Sequence, residues 1–225
     1  MFIVLEGLDG AGKSTQIQLL RNYLTQRGLE TEYIHFPRYD AKPFGDLISC
    51  FLRGELGTLD EVDPYFVAML YAEDRKQISK QIRQWISQGK VVLVDRYVYS
   101  NIAYQGAKMT SREDRRFLSD WIFNLEYNIF GIPKPDISFF LDVPFKFTVN
   151  SLQKNREGSD RDYLNGESDI HEASLPLQLH VREVYTDAAQ KDSTLKLIDC
   201  SKNGEMDTPE SVFSKIAEIL SKILG

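Results

Sequence analysis

Hydrophobic positions along the chain fall into two kinds of segment, short unbroken apolar runs and longer stretches with helical spacing. Met1-Phe2-Ile3-Val4-Leu5-Glu6, Val91-Val92-Leu93-Val94-Asp95 and the run 136–143 are continuous and rich in β-branched or aromatic residues. Such runs predict strands buried on both faces of a parallel sheet. Thr31-Glu32-Tyr33-Ile34-His35-Phe36 and Leu195-Lys196-Leu197-Ile198-Asp199 read as two more strands. Between them Ile17, Leu19, Leu20, Tyr23 and Leu24 recur at helical spacing, and Phe66, Val67, Leu70, Tyr71, Ile78, Ile82, Trp85 and Ile86 trace a long amphipathic helix over 64–87. Shorter helices are predicted over 43–53, 110–128 (apolar face Phe117, Trp121, Ile122, Leu125), 144–155, 170–189 and 209–224. Pro64 suits a helix start, and Gly28 and Gly89 suit helix ends. Strands alternating with helices imply α/β architecture, with three layers and a central five-stranded parallel sheet covered on both faces. The chain reads as a single domain over 1–225, and the charged, glycine-containing stretch around 155–167 interrupts the pattern as a short flexible flap.

At the first strand-to-helix junction, Gly7-Leu8-Asp9-Gly10-Ala11-Gly12-Lys13-Ser14 matches the phosphate-binding pattern G-x-x-x-x-G-K-[ST]. Chance would place this pattern in roughly one chain of this length in a hundred, before its strand and helix flanks are counted. Its glycines let backbone N–H groups converge on phosphate oxygens, and the following helix turns its positive end to the same point. Lys13 would reach the terminal phosphates of a nucleotide, and the Ser14 hydroxyl would ligate magnesium. In open parallel sheets ligands gather at the carboxyl ends of the strands. There the chain places Arg38 after Phe36-Pro37, and Arg96 after Asp95. Arg38 in that position holds a substrate phosphate or is a solvated surface arginine, and spacing alone admits both. Asp95 is placed to hold magnesium through water or to orient the attacking oxygen. Tyr71 and Arg75 lie four apart and share a helix face. Ser100, Asn101, Tyr104 and Gln105 crowd hydrogen-bonding groups into the stretch after Arg96.

Composition narrows the partners. With 225 residues, 42% of them hydrophobic, and a net charge of −6, the chain has enough apolar material for a sizeable core and no polybasic footprint for a nucleic acid polymer. No apolar run approaches membrane-spanning length, and the first residues already read as strand rather than leader. Cys50 and Cys200, far apart and without metal-ligand spacing, suggest reduced thiols and a cytoplasmic location. His35, His171 and His180 form no zinc pattern, so surface or packing roles are expected. Phosphoryl transfer needs charge neutralised and two oxygens held in line. Lys13, Arg38, Arg75, Arg96, Arg156 and Arg161 are the candidate cations, and the polar and aromatic groups beside them suit a second, phosphorylated acceptor rather than a lone nucleotide.

Four stretches together resemble the thymidylate kinases, within the nucleoside monophosphate kinases. They are Glu6-Gly7-Leu8-Asp9-Gly10-Ala11-Gly12-Lys13-Ser14-Thr15, Phe36-Pro37-Arg38, Tyr71-Ala72-Glu73-Asp74-Arg75 and Asp95-Arg96-Tyr97-Val98-Tyr99-Ser100-Asn101. The resemblance implies a P-loop NTPase-type fold with a LID near 155–167, and ATP-dependent conversion of dTMP to dTDP with magnesium. By position, residues 7–15 would cradle ATP, and Ser14 and Asp95 would serve the metal. Lys13, Asp95, Arg96 and a LID arginine would serve catalysis. Arg38 and Arg96 resemble the clamps on the dTMP phosphate, and Asp9 the carboxylate near the sugar 3′-hydroxyl. Tyr71 would stack on thymine, Arg75 would bond its carbonyl, Asn101 would meet the base edge beside Ser100, and Tyr104 would lie against the deoxyribose. A homodimer through helices flanking the site, with 64–88 as one candidate, is also implied. Two departures stand out. Tyr71 replaces a common phenylalanine, as stacking platform or as core residue. Gly10 sits where one branch of the family carries arginine, which directs the catalytic charge to Arg161 or else Arg156. The rival readings are a kinase for another monophosphate or a nucleoside, and an ATP-binding switch without a second substrate.

Overall fold

The computed structural model describes residues 1–153 and 159–224, with 159–161 described for the backbone alone. Arg156, most of the expected flap tip and the Arg161 side chain lie outside that description. Five parallel strands form the main sheet in the order β2-β3-β1-β4-β5, where β1 is Phe2–Gly7, β2 Thr31–His35, β3 Val91–Asp95, β4 Ile137–Asp142 and β5 Leu195–Asp199. Each strand predicted from an apolar run is present. β1 lies at the centre between β3 and β4, and residues Phe2 to Leu5 are essentially inaccessible. Burying aliphatic side chains of this size stabilises the fold by roughly 1.5–3 kcal/mol each. The register sets Leu5 and His35 opposite Asp95, so the ends of β1, β2 and β3 converge on one edge.

Helices α1 (Lys13–Thr25), α2 (Phe44–Leu52), α3 (Pro64–Ser87), α4 (Val98–Gly106), α5 (Arg112–Phe123), α6 (Phe145–Gln153), α7 (Ile170–Ala173), α8 (Leu175–Lys191) and α9 (Pro209–Leu224) cover the sheet. A small antiparallel pair, β6 (Ser201–Lys202) and β7 (Glu205–Met206), joins β5 to α9 and carried no sequence signal. α3 starts as expected, with Asp63 accepting the Tyr65 and Phe66 N–H groups ahead of Pro64.

Two helices differ from the periodic reading. The helix predicted over 110–128 is regular only to Phe123 and continues as a π-helical turn, Asn124–Ile129. Leu118 and Ile122 form its buried stripe, whereas Phe117 is 59% exposed. Glu126, four residues after Ile122 and eight after Leu118, continues that stripe into the π-helical turn and is inaccessible. The helix predicted over 170–189 is two helices broken at Ser174. Asp169 caps the first, accepting the His171 and Glu172 N–H groups, and Ser174 caps the second, which has a proline in its first turn.

Candidate functional site

The loop from β1 to α1 turns through Gly10 (φ 73°) and Gly12 (φ 79°), a region that residues with a Cβ rarely enter. Lys13 is buried at the start of α1, its Nζ donating to the Leu8 carbonyl at 3.0 Å and lying 4.0 Å from Asp95 Oδ1. Burial and the nearby Arg96 charge push its ammonium down to about 8. Ser14 and Thr15 are exposed on the first turn. Asp95, at the tip of β3, is 4% exposed, and its Oδ1 has no hydrogen-bond partner among the described residues. A buried carboxylate oxygen left open beside a phosphate loop and an exposed serine hydroxyl is a donor set that fits magnesium.

Glu6 fixes the next strand end. Its inaccessible carboxylate accepts from Tyr97 N–H at 3.0 Å, Ser100 Oγ at 2.5 Å and Tyr185 OH at 2.9 Å. Burial raises its pKa, against these hydrogen bonds and the Arg96 charge. The bonds tie the start of α4 to the end of β1, and they place Arg96 between the two in a left-handed backbone conformation, φ 66°. Arg96 Nη2 then donates to Asp9 at 2.6 Å. Asp9 also accepts from Tyr104 OH at 2.6 Å and Gln178 Nε2 at 2.9 Å. Burial opposes its ionisation, but Arg96 and Lys13 together with these donors hold the Asp9 carboxyl well below the usual range.

Beyond Asp9 lies a partly open cavity, walled by polar and aromatic side chains. Tyr71, Arg75, Arg96, Ser100, Asn101 and Tyr104, all expected on the acceptor side, line it. Three of them are held by partners that the sequence did not announce. The Arg75 guanidinium grips Glu126 through Nε and Nη2 at 2.5 and 2.6 Å, with both side chains inaccessible. Asn101 Nδ2 donates to the Ala68 carbonyl at 2.9 Å and Glu126 Oε1 at 3.1 Å. The Ser100 hydroxyl is committed to Glu6 and Tyr185.

Arg38 faces a larger open cleft that also takes in residues 9–15 and Asp95. Its Nε bonds Asp74 Oδ1 at 2.9 Å, and its Nη2 bonds the Asp74 carbonyl at 2.9 Å and Gln77 Oε1 at 3.1 Å. The arginine is thus anchored to α3 at the cleft wall. Tyr163, in the flap stretch, stacks on Tyr39 with centroids 3.6 Å apart and bonds Asp169 at 2.8 Å.

Sequence reading missed Gln178, Asp169, His171 and Glu126. Asp169 and His171 line the acceptor cavity, where burial and then Asp9 raise the Asp169 carboxyl to about 7 and burial keeps the His171 ring neutral. Gln178 reaches Asp9 from 169 positions away, which no local pattern reveals. Glu126 did leave a trace, as the one acidic residue beside Ile122, Leu125 and Ile129 on an apolar helical stripe.

A family model described as thymidylate kinase matches residues 5–221. Among curated relatives, a probable thymidylate kinase of Thermococcus kodakarensis is 35% identical, covering 100% of this chain and 99% of the relative. The thymidylate kinase of Homo sapiens is 32% identical over 90% of this chain and 84% of its own length. Among solved structures, the thymidylate kinase from Candida albicans superposes with a TM-score of 0.75 at 25% identity, covering 98% of this chain and 91% of that one. A fold shared over this extent, and a family match that spans both the phosphate loop and the residues around the acceptor cavity, have one reading: the chain belongs to the thymidylate kinase family.

Proposed function

We propose that the chain transfers the γ-phosphoryl group of ATP to the phosphate of dTMP, giving ADP and dTDP, with the residues above in specific roles. The observation that carries this reading is the pair of adjoining spaces, phosphate cleft and acceptor cavity, that share Asp9 and Arg96 in their walls. A switch that binds ATP alone has no use for the second space.

Residues 7–15 cradle the ATP phosphates through backbone N–H groups, with Lys13 on the terminal ones. Ser14 and Asp95 would hold magnesium, which when bound supplies neutralising charge to the phosphates. Arg96 holds the dTMP phosphate, and Arg38, steadied by Asp74, assists it from the cleft wall. Asp9 accepts from the sugar 3′-hydroxyl, and the Tyr104 ring, bonded to Asp9, fills the place a 2′-hydroxyl would need. Tyr71 stacks on the base, a contact worth about 1–3 kcal/mol. Arg75 donates to a base carbonyl, and Asn101 Oδ1, buried without a partner among the described residues, accepts from the ring N–H. Arg161, or Arg156, stabilises the transferring phosphoryl group from the flap. Exposed Phe66 and Met69, three apart on α3, support a homodimer through that helix. The free Cys50 and Cys200 support a cytoplasmic setting. No helix among the described residues is long and apolar enough to cross a membrane.

Coupled ADP release with ATP and magnesium tests the reading against dTMP, dUMP, dCMP, dGMP, AMP and thymidine. Release is expected to be strongest with dTMP and absent with thymidine, which lacks the phosphate for Arg96. Release independent of every acceptor would leave only an ATPase. Arg161→Ala is expected to lower kcat further than it weakens dTMP binding measured by calorimetry. An unchanged kcat would transfer the role away from Arg161.

A further inference from the structure

Two amide side chains line the acceptor cavity, and each has one end fixed from outside it. Gln105 is inaccessible, and its Oε1 accepts from Lys108 Nζ at 3.0 Å. Its Nε2 has no partner among the described residues. Asn101 is the mirror case, with Nδ2 committed to the Ala68 carbonyl and Glu126 and Oδ1 left without a partner. An amide can flip by 180°, exchanging donor for acceptor, and the two orientations look alike in shape. Here chemistry forbids the flip. An ammonium only donates, so the Gln105 oxygen must face Lys108. An ionised carboxylate and a carbonyl only accept, so the Asn101 nitrogen must face Glu126 and Ala68.

We propose that Lys108 and Glu126 are positioning residues that set the base preference of the acceptor cavity, by fixing which end of Gln105 and Asn101 is offered to the base. The result is one donor, Gln105 Nε2, and one acceptor, Asn101 Oδ1. That pair complements a base edge carrying a ring N–H beside a carbonyl, as thymine does, and mismatches cytosine, which presents an amino group and an unprotonated ring nitrogen. Lys108 is held for the task, its Nζ lying 4.7 Å from the centre of the Phe51 ring. This inference rests on dTMP being the acceptor. It adds that selectivity is stored in groups standing behind the amides.

Glu126 also clamps Arg75, so Lys108 is the cleaner handle. ADP release is measured over a range of dTMP and of dCMP for the wild type, Lys108→Met, Lys108→Arg and Gln105→Glu. Lys108→Met is expected to raise KM for dTMP about tenfold with kcat within about twofold, and to lower the dTMP to dCMP ratio of kcat/KM about tenfold. Lys108→Arg, which still only donates, is expected to keep the wild-type ratio. Gln105→Glu keeps a partner for Lys108 and turns the cavity-facing donor into an acceptor, so the ratio is expected to fall there too. An unchanged ratio in Lys108→Met, or an equal loss on both nucleotides that arginine does not restore, overturns the proposal. A wild type inactive with dTMP overturns the function reading instead.

Discussion

Lys13→Ala is expected to lower kcat about 10³-fold, the scale on which a single preorganised charge or donor at a transferring group acts. The melting temperature is expected to hold. The ammonium is buried beside the Leu8 carbonyl and Asp95 Oδ1 at the phosphate loop, so its charge acts at short range and with little screening. The same burial makes it a poor contributor to stability. Its folded pKa, about 8, lies below the ordinary lysine value of 10.5, so at neutral pH the fold carries a charge it disfavours relative to the unfolded chain. Alanine relieves that penalty and loses alkyl packing, the bond to the Leu8 carbonyl and the contact with Asp95, so gain and loss offset one another. Turnover and thermal unfolding on the same preparation separate the two effects. A variant that keeps most of its activity would remove Lys13 from the phosphate site.

Glu126→Ala should have the opposite character, with stability failing first. It leaves the Arg75 guanidinium, 2% exposed, without its counter-charge, and takes a partner from Asn101 Nδ2 as well. Removing one member of a buried ion pair destabilises by about 3–5 kcal/mol. For a chain of this length that is a fall in melting temperature of roughly 6–20 °C. A double replacement, Arg75→Met with Glu126→Leu, is expected to recover much of the loss, because a filled apolar pair carries no buried charge. It should nonetheless fail to bind dTMP. If the single variant melts with the wild type, the pair is not holding this part of the fold.

The contrast between Lys13 and Glu126 also marks where the sequence was readable. Strands buried on both faces must be continuously apolar, so β1, β3 and β4 stood out, and the glycine spacing between β1 and α1 has few other uses. Residues that close the acceptor cavity carry no such constraint. Gln178, His171 and Asp169 come from helices whose break at Ser174 depends on side-chain caps, invisible to a periodicity that spans both pieces. Glu126 sits on the inward stripe of Leu118 and Ile122, but a lone carboxylate there names no partner, and Arg75 lies 51 positions away. Arg38 and Arg75 were legible as cations near the site, but the carboxylates that aim them, Asp74 and Glu126, were not.

The left-handed backbone at Arg96 has a consequence for how this chain tolerates change over generations. A residue with a Cβ held there stores about 1–3 kcal/mol of conformational strain. Glycine would relax that backbone and discard the guanidinium that reaches Asp9. Relief of that strain is set against loss of the counter-charge beside Asp9, so arginine at 96 is held by that pairing as well as by the acceptor chemistry. A lineage in which this position drifts to glycine has stopped being maintained for its chemistry.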